Sequence, residues 1–432
     1  MLIIKNGFMI DPASGRNGCY DIAVKDGRFC CIEKPGCLPP DLSSAESGKE
    51  AKVIDASGLC IAPGLIDTHS HFRDPGQTHK EDIHTGAAAA VRGGYTSVIM
   101  MANTVPPVDS PEVLKDVLER GKDTPVHLYG CANVTRQMRG MELTDMAALK
   151  EAGAVGFTDD GVPVMNEELL TNALKKASGL GLPVSLHEED PAYITEPGIN
   201  AGRAAAAMGL SGADRMAEIS LIRRDTAIAA RLGAKLCIQH ISTAEGVDII
   251  RRIRKDHPYI HAEATPQHMN LTEDAVFDKG TLAKVNPPLR TQADREAIIE
   301  GLLDGTIDII ATDHAPHAAD EKDRPFTKAP SGMIGLETSF SLGLKALVKS
   351  GLMSLSDYIR LLTVNPADLY GLPAGRITEG AAADLILFDP DEKWRVGKDF
   401  ASRSSNSPFI GETLPGVIRM TITDGVPVYI KD

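Results

Sequence analysis

Between residues 64 and 312 the chain repeats one pattern eight times: a short apolar run, then a longer amphipathic stretch. The runs are 64–69, 96–102, 126–131, 154–158, 183–187, 235–240, 260–265 and 307–312. Apolar runs this short, each followed by a helical pattern, read as strands buried on both faces, and such strands need helices to cover them. Eight consecutive strand-helix units suit a closed barrel better than an open sheet, so the expected fold is α/β, a (β/α)8 TIM-like barrel. The segment 166–178 illustrates the helical half of the repeat. Asn166 can cap it, Leu169, Leu170, Ala173, Leu174 and Ala177 share one face, and Gly179 is expected to stop it.

The two ends read differently, as short β segments joined by tight turns at Lys25-Asp26-Gly27 and Thr423-Asp424-Gly425. Neither end can bury a sheet face alone, so both are expected to pair into one small composite β-sandwich. A length of 432 residues suits this division, with 1–62 and 373–432 forming the small domain and 63–372 the barrel. The stretch 34–52, rich in Pro, Ser, Gly and charge, is expected to be a mobile loop.

Charge and hydropathy exclude several classes. The formal net charge is −14, with no Lys/Arg-rich run, so the chain lacks the footprint of a nucleic-acid binder. No apolar stretch approaches the roughly 20 residues that cross a bilayer, and the N-terminus lacks the layout of a signal peptide. A cytoplasmic protein is expected. The seven cysteines are scattered and never form Cys-x-x-Cys, which suits reduced thiols.

Chemistry-bearing residues gather where the strands end, the rim at which barrels of this kind place their sites. The first run leads into Asp67-Thr68-His69-Ser70-His71-Phe72-Arg73-Asp74-Pro75-Gly76. Histidines one residue apart on a strand point the same way, so His69 and His71 can grip one ion. The second strand delivers Asn103, the fourth Asp159 and Asp160, the fifth His187, the sixth His240, and the eighth Asp313 with His314 and His317 beyond it. Imidazoles with carboxylates are what one or two divalent cations such as zinc require. Such an ion lowers the pKa of water from about 16 toward about 7, and Asp313 is the candidate to take the water's proton and pass it to a departing nitrogen. Arg73 and Asn103 could orient an acidic substrate. The polar segment 318–329 is expected to close over it as a flexible loop. Surface or core roles are expected for His79, His84, His127, His257, His261 and His268.

These motifs, with Asn103-Thr104, Phe157-Thr158-Asp159-Asp160-Gly161, Val285-Asn286-Pro287-Pro288-Leu289-Arg290, Ala311-Thr312-Asp313-His314-Ala315-Pro316-His317 and Gly335-Leu336-Glu337-Thr338, resemble the dihydroorotases of the amidohydrolase superfamily. The resemblance implies that His69, His71, Asp160, His187, His240 and Asp313 take the metal positions. It assigns substrate positions to Arg73, Asn103, Asn286 and His317, with the backbone near Gly332 helping. It also implies Zn2+, one or two ions, and reversible hydrolysis of dihydroorotate to N-carbamoyl-L-aspartate in pyrimidine biosynthesis. Strand alternation lets only one of Asp159 and Asp160 face the site, and the resemblance aligns Asp160. Two departures stand out. Many relatives place a carbamylated lysine where this chain has Asp159-Asp160, and its nearest lysines, Lys175 and Lys176, lie in the following helix; relatives also usually carry Pro at the position of Ala102. Alternatives are a hydantoinase, dihydropyrimidinase or allantoinase, or a non-catalytic scaffold for aspartate transcarbamoylase. A homodimer and association with that transferase stay open.

Overall fold

The computed structural model describes residues 1–39, 42 and 52–431. Of the stretch 34–52 expected to be a mobile loop, residues 40–41 and 43–51 lie outside the described residues. The strands, in chain order, are β1 Leu2–Asp11, β2 Arg16–Lys25, β3 Arg28–Glu33, β4 Lys52–Asp55, β5 Cys60–Pro63, β6 Leu65–Ser70, β7 Tyr95–Met100, β8 His127–Ala132, β9 Gly156–Phe157, β10 Val184–Leu186, β11 Leu236–Ile238, β12 Ile260–Ala264, β13 Ile309–Ile310, β14 Leu385–Arg395, β15 Thr413–Thr423 and β16 Val426–Ile430.

Strands β6 to β13 pair in sequence order, each parallel to the next, and each of the eight expected runs overlaps one of them, with β6, β7 and β8 each reaching one residue past their runs. A parallel bridge between Ser70 and His314, with His71 N–H donating to His314 O at 2.9 Å, joins the last strand end to the first and closes the barrel. All residues of β6 and β7 are buried, as parallel strands covered by helices must be. The covering helices begin on side-chain caps: Asp82 and Thr85 form a reciprocal capping box, and Ser110, Thr243 and Thr291 each accept from the backbone N–H three residues further on. In Glu167–Leu180, Asn166 caps as expected. This helix runs through Gly179 and stops at Gly181, whose φ of 73° supplies the left-handed terminus that Gly179 does not.

The other sheet draws on both chain ends in the order β16-β15-β14-β5-β1-β2-β3, with β4 beside β1. The ends meet where β5 pairs antiparallel with β14, Ile61 opposite Leu387. Its buried core includes Leu2, Ile4, Met9, Ile22, Val24, Phe29, Leu385 and Ile422. Asp26-Gly27 and Asp424-Gly425 all have positive φ, as two-residue hairpin turns of this hand demand. The two turns touch, since a Cβ on Gly27 would come within 3.1 Å of Asp424 O. Because β5 runs almost directly into β6, the composite sheet is fastened to the start of the barrel, remote from the rim that carries the site. Among the described residues, no helix is long and apolar enough to cross a membrane.

Candidate active site

Strand ends converge as the repeat requires. His69 lies within β6 and His71 just past it, His187 directly follows β10, and Asp160, His240 and Asp313 lie in the first turns after β9, β11 and β13. Arg73, His240 and Asp313 take left-handed backbone angles, φ 58°, 30° and 47°. Such angles cost non-glycine residues of order 1–3 kcal/mol each and here turn side chains inward as the chain leaves the strand.

Asp160 stands at the centre. Its Oδ1 is 3.4 Å from His69 Nε2, 3.7 Å from His187 Nδ1 and 3.6 Å from His240 Nε2, while Oδ2 is 3.3 Å from His71 Nε2. Asp313 Oδ1 lies 3.2 Å from His71 Nε2 and 3.6 Å from His69 Nε2. Two triads share this aspartate, His69-His71-Asp160 and Asp160-His187-His240, all buried. Ligands about 2.0–2.1 Å from a tetrahedral ion lie about 3.3 Å from one another, which is the spacing seen here. His69 Nε2 and Asp160 Oδ1 are buried without hydrogen-bond partners, an arrangement that a cation between them would relieve. The donor set therefore fits a metal cofactor.

Surrounding groups fix which ring nitrogen faces inward. His69 Nδ1–H donates to Glu263 Oε2 at 3.2 Å, His71 Nδ1–H to Asn103 Oδ1 at 2.9 Å, and His187 Nε2–H to Glu189 Oε2 at 3.0 Å. The opposite nitrogen of each ring is left for the centre. Burial disfavours charge on His69, yet Asp160, Glu263 and Asp313 hold its pKa well above the ordinary histidine value. Burial pushes Asp160 up, but the charge of His69 with the neighbouring His240 and His71 prevails and holds it well below the usual carboxylate range. Acids in excess around rings that burial discourages from charging leave a place for a cation.

Asp159 faces away. Its carboxylate accepts from Val134 N at 2.9 Å, Thr135 N, the Thr135 hydroxyl and Asn133 Nδ2, so it ties down the loop after β8. Arg73, Asn103, Asn286, His317 and Gly332 all border a cavity of about 200 Å³ above the centre. Arg73 uses Nε on Pro316 O at 3.4 Å, and among the described residues its terminal nitrogens have no hydrogen-bond partner. Asn286 Oδ1 is buried and unpartnered. Asn103 borders the cavity with its amide committed to His71 and to Asp160 O at 3.2 Å. His317 Nε2–H donates to Ser331 O at 2.9 Å, and burial with the charges of Arg73, Lys80 and Lys322 pushes its pKa down to about 2, so the ring is neutral. Gly332 has φ 131°, and a Cβ there would meet Ala315 Cβ at 2.8 Å, so only glycine lets the chain pass this close. Its N–H donates to Lys284 O and its carbonyl accepts from Lys322 Nζ and Asn406 Nδ2, which leaves its outline rather than a free donor on the cavity.

His314 lies off the centre, between Glu81 Oε2 at 3.2 Å and Gly335 N–H at 3.1 Å. His268 is held by Thr265 and Pro287 O. The segment 318–329, expected to be a flexible loop, contains the short helix Ala319–Lys322 and is held at Phe326 O and Ala329 O by the ammonium group of Lys284, while its own Lys322 reaches on to Pro330 O. Sequence reasoning also missed Glu263 and Glu189. The signal for Glu263 was present, an acid inside the apolar strand Ile260–Ala264, where a buried charge needs a partner.

Residues 60–428 match the model of the amidohydrolase family. The chain belongs to the amidohydrolase family. Among the amidohydrolases it resembles, a dihydroorotase of Clostridioides difficile (strain 630) is 48% identical over 99% of this chain and 100% of the relative. A dihydroorotase of Clostridium acetobutylicum is 49% identical over 99% of both chains. Among solved structures, an L-hydantoinase (dihydropyrimidinase) from Arthrobacter aurescens superposes with a TM-score of 0.87 at 26% identity, covering 100% of this chain and 96% of that one. A D-hydantoinase from a Thermus species gives a TM-score of 0.83 at 22% identity over 100% and 95% of the two chains, a likeness of fold.

Proposed function

We propose that this amidohydrolase catalyses the reversible hydrolysis of the ring amide of dihydroorotate to N-carbamoyl-L-aspartate, with zinc, one or two ions, held by His69, His71, Asp160, His187, His240 and Asp313. The observation that carries the choice of substrate is Arg73: a guanidinium with its terminal nitrogens free, bordering the same cavity as Asp160 and Asp313. A planar cation of this kind suits a carboxylate, which dihydroorotate has and the neutral rings of hydantoins or dihydropyrimidines lack. Full-length relatives at 48–49% identity named dihydroorotases support the same reading.

A cation in this centre would acidify water and polarise a carbonyl oxygen. The chain's own groups supply the rest. Arg73, with Asn286 beside it, holds the substrate carboxylate and sets the face of the ring that meets the centre, and His317 borders the same space as a neutral ring. Asp313 accepts the proton from the attacking water, and the same proton is delivered to the ring nitrogen as its bond to the carbonyl carbon breaks. Burial raises the Asp313 pKa, but the bond from His71 and the neighbouring His69 and His240 outweigh it, so the carboxyl is held below the ordinary aspartate value and stands ready as a base. In the reverse direction Asp313 takes the proton from the ureido nitrogen as the ring closes.

The test is a zinc-supplemented assay of ring opening and closure, run beside dihydrouracil and hydantoin. Turnover of dihydroorotate above that of both neutral rings is expected; preference for a neutral ring overturns the reading. The reaction is assigned to the cytoplasm. Sedimentation of the purified chain, alone and with aspartate transcarbamoylase, checks self-association and the transferase as partner.

A further inference from the structure

Two buried lysines stand behind one wall of the cavity. Lys284 and Lys322 are 2% and 4% exposed, and among the described residues neither forms an ion pair with a carboxylate. Their ammonium groups point at backbone carbonyls of a single segment. Lys284 Nζ donates to Phe326 O and Ala329 O, both at 2.8 Å, and Lys322 Nζ to Pro330 O at 2.9 Å and Gly332 O at 3.0 Å. Their own backbones tie in as well: Gly332 N–H donates to Lys284 O at 2.9 Å, and Thr281 Oγ1–H to Lys322 O at 2.6 Å.

This is an expensive way to brace a loop. Burying an ammonium without a counterion is unfavourable, and two near each other make it worse. Burial and the neighbouring Lys284 charge lower the Lys322 pKa to about 7. Neutral donors such as Asn or Gln could satisfy the same carbonyls, so the charge calls for a reason. The braced segment supplies one. Ser331 O anchors His317, Gly332 shapes the cavity, and Arg73 borders the same space. The two ammonium groups thus stand behind the end of the cavity where an anion would lie, with the Glu321 carboxylate acting on Lys322 and lying 3.5 Å from His317 Nδ1.

We propose that Lys284 and Lys322 are positioning residues for an anionic substrate, holding segment 326–332 as the rigid wall that keeps His317 and the outline at Gly332 in place beside Arg73. This rests on the reading of the substrate given above. The metal-type donors leave β6, β9, β10, β11 and β13, and none is on the braced segment, so loosening the wall weakens binding without disturbing the chemical step.

The experiment compares wild type with Lys284→Met and Lys322→Met, which keep the aliphatic stem and remove the charge, and with the milder Thr281→Val. Steady-state kinetics in both directions, zinc content and chymotrypsin cleavage after Phe326 are measured on each. We expect KM for dihydroorotate and N-carbamoyl-L-aspartate to rise by about 10-fold or more in the lysine variants with kcat within about threefold of wild type. Zinc content is expected to hold and cleavage after Phe326 to accelerate. Thr281→Val should move KM in the same direction by less, and stands in if a lysine variant does not fold. Unchanged KM overturns the proposal, as does a loss confined to kcat that tracks zinc loss. A wild-type protein that cannot interconvert the two compounds instead overturns the substrate reading, whatever the lysines do.

Discussion

Glu263 Oε2 lies 3.2 Å from His69 Nδ1, and both side chains are fully buried. The other carboxylate oxygen of Glu263 accepts from the Thr68 hydroxyl at 2.6 Å, so the acid cannot swing away. It holds His69 with Nε2 turned to the centre. We expect Glu263→Gln to weaken metal affinity by about 10–100-fold, the usual loss when such a supporting acid is removed. Competition with a chromophoric chelator measures this, and unchanged affinity would make the contact merely structural.

For Asp313 the expectation concerns rate alone. Asp313→Asn should fold and lower kcat by about 10²–10⁴-fold, the worth of a general acid-base group, while most of the bound metal is retained. Near-normal turnover would remove Asp313 from the proton path.

Arg73 is expected to separate anionic from neutral substrates. In Arg73→Met we expect kcat/KM for dihydroorotate to fall by about 30-fold or more, as loss of a charge-assisted contact predicts, with little change for dihydrouracil. Equal losses on both compounds would mean that the guanidinium does not meet the carboxylate.

The adjacent aspartates should part company. Asp159→Ala strands the buried donors of Val134 and Thr135, so we expect a loss of about 2 kcal/mol or more in stability with metal content unchanged. Asp160→Ala should lose metal while unfolding at the temperature of metal-stripped wild type. Calorimetry with and without chelator distinguishes the two, and an exchange of these behaviours would reverse their roles.

At the opposite end of the barrel, half-buried His127 lies 2.9 Å from Asp384 of the composite sheet. The bond to Asp384 raises its pKa against the opposing effect of burial. A histidine raised on folding contributes stability that is fully present below the unfolded value of about 6.5 and is lost as pH climbs through the folded value. His127→Gln should therefore lower Tm more at about pH 5.5 than at about pH 9. The same difference at both pH values would mean that the protonated form contributes nothing.

Much of the fold was legible because its signals are local. Each of the eight strands overlaps an apolar run and reaches at most one residue past it, and Asn166 caps its helix, since propensity and periodicity act over a few residues. Gly179 misled for the same reason: a glycine can end a helix, but Gly181, two residues on, is where the chain turns left-handed. In segment 318–329 the polarity is visible in the sequence and the hold of Lys284 on Phe326 O is not, because Lys284 is remote in the chain.

By itself the sequence determined that strands and helices alternate into a barrel and that imidazoles and acids recur where strands end, because side-chain periodicity is written residue by residue. Tertiary structure decided what strand alternation left open, that Asp159 turns away to the loop after β8 while Asp160 faces the histidines, and it alone decided that Glu263 stands behind His69 and that the Asn103 amide is committed to His71. Those outcomes depend on distances between residues far apart in the chain, which come into being only when the barrel closes.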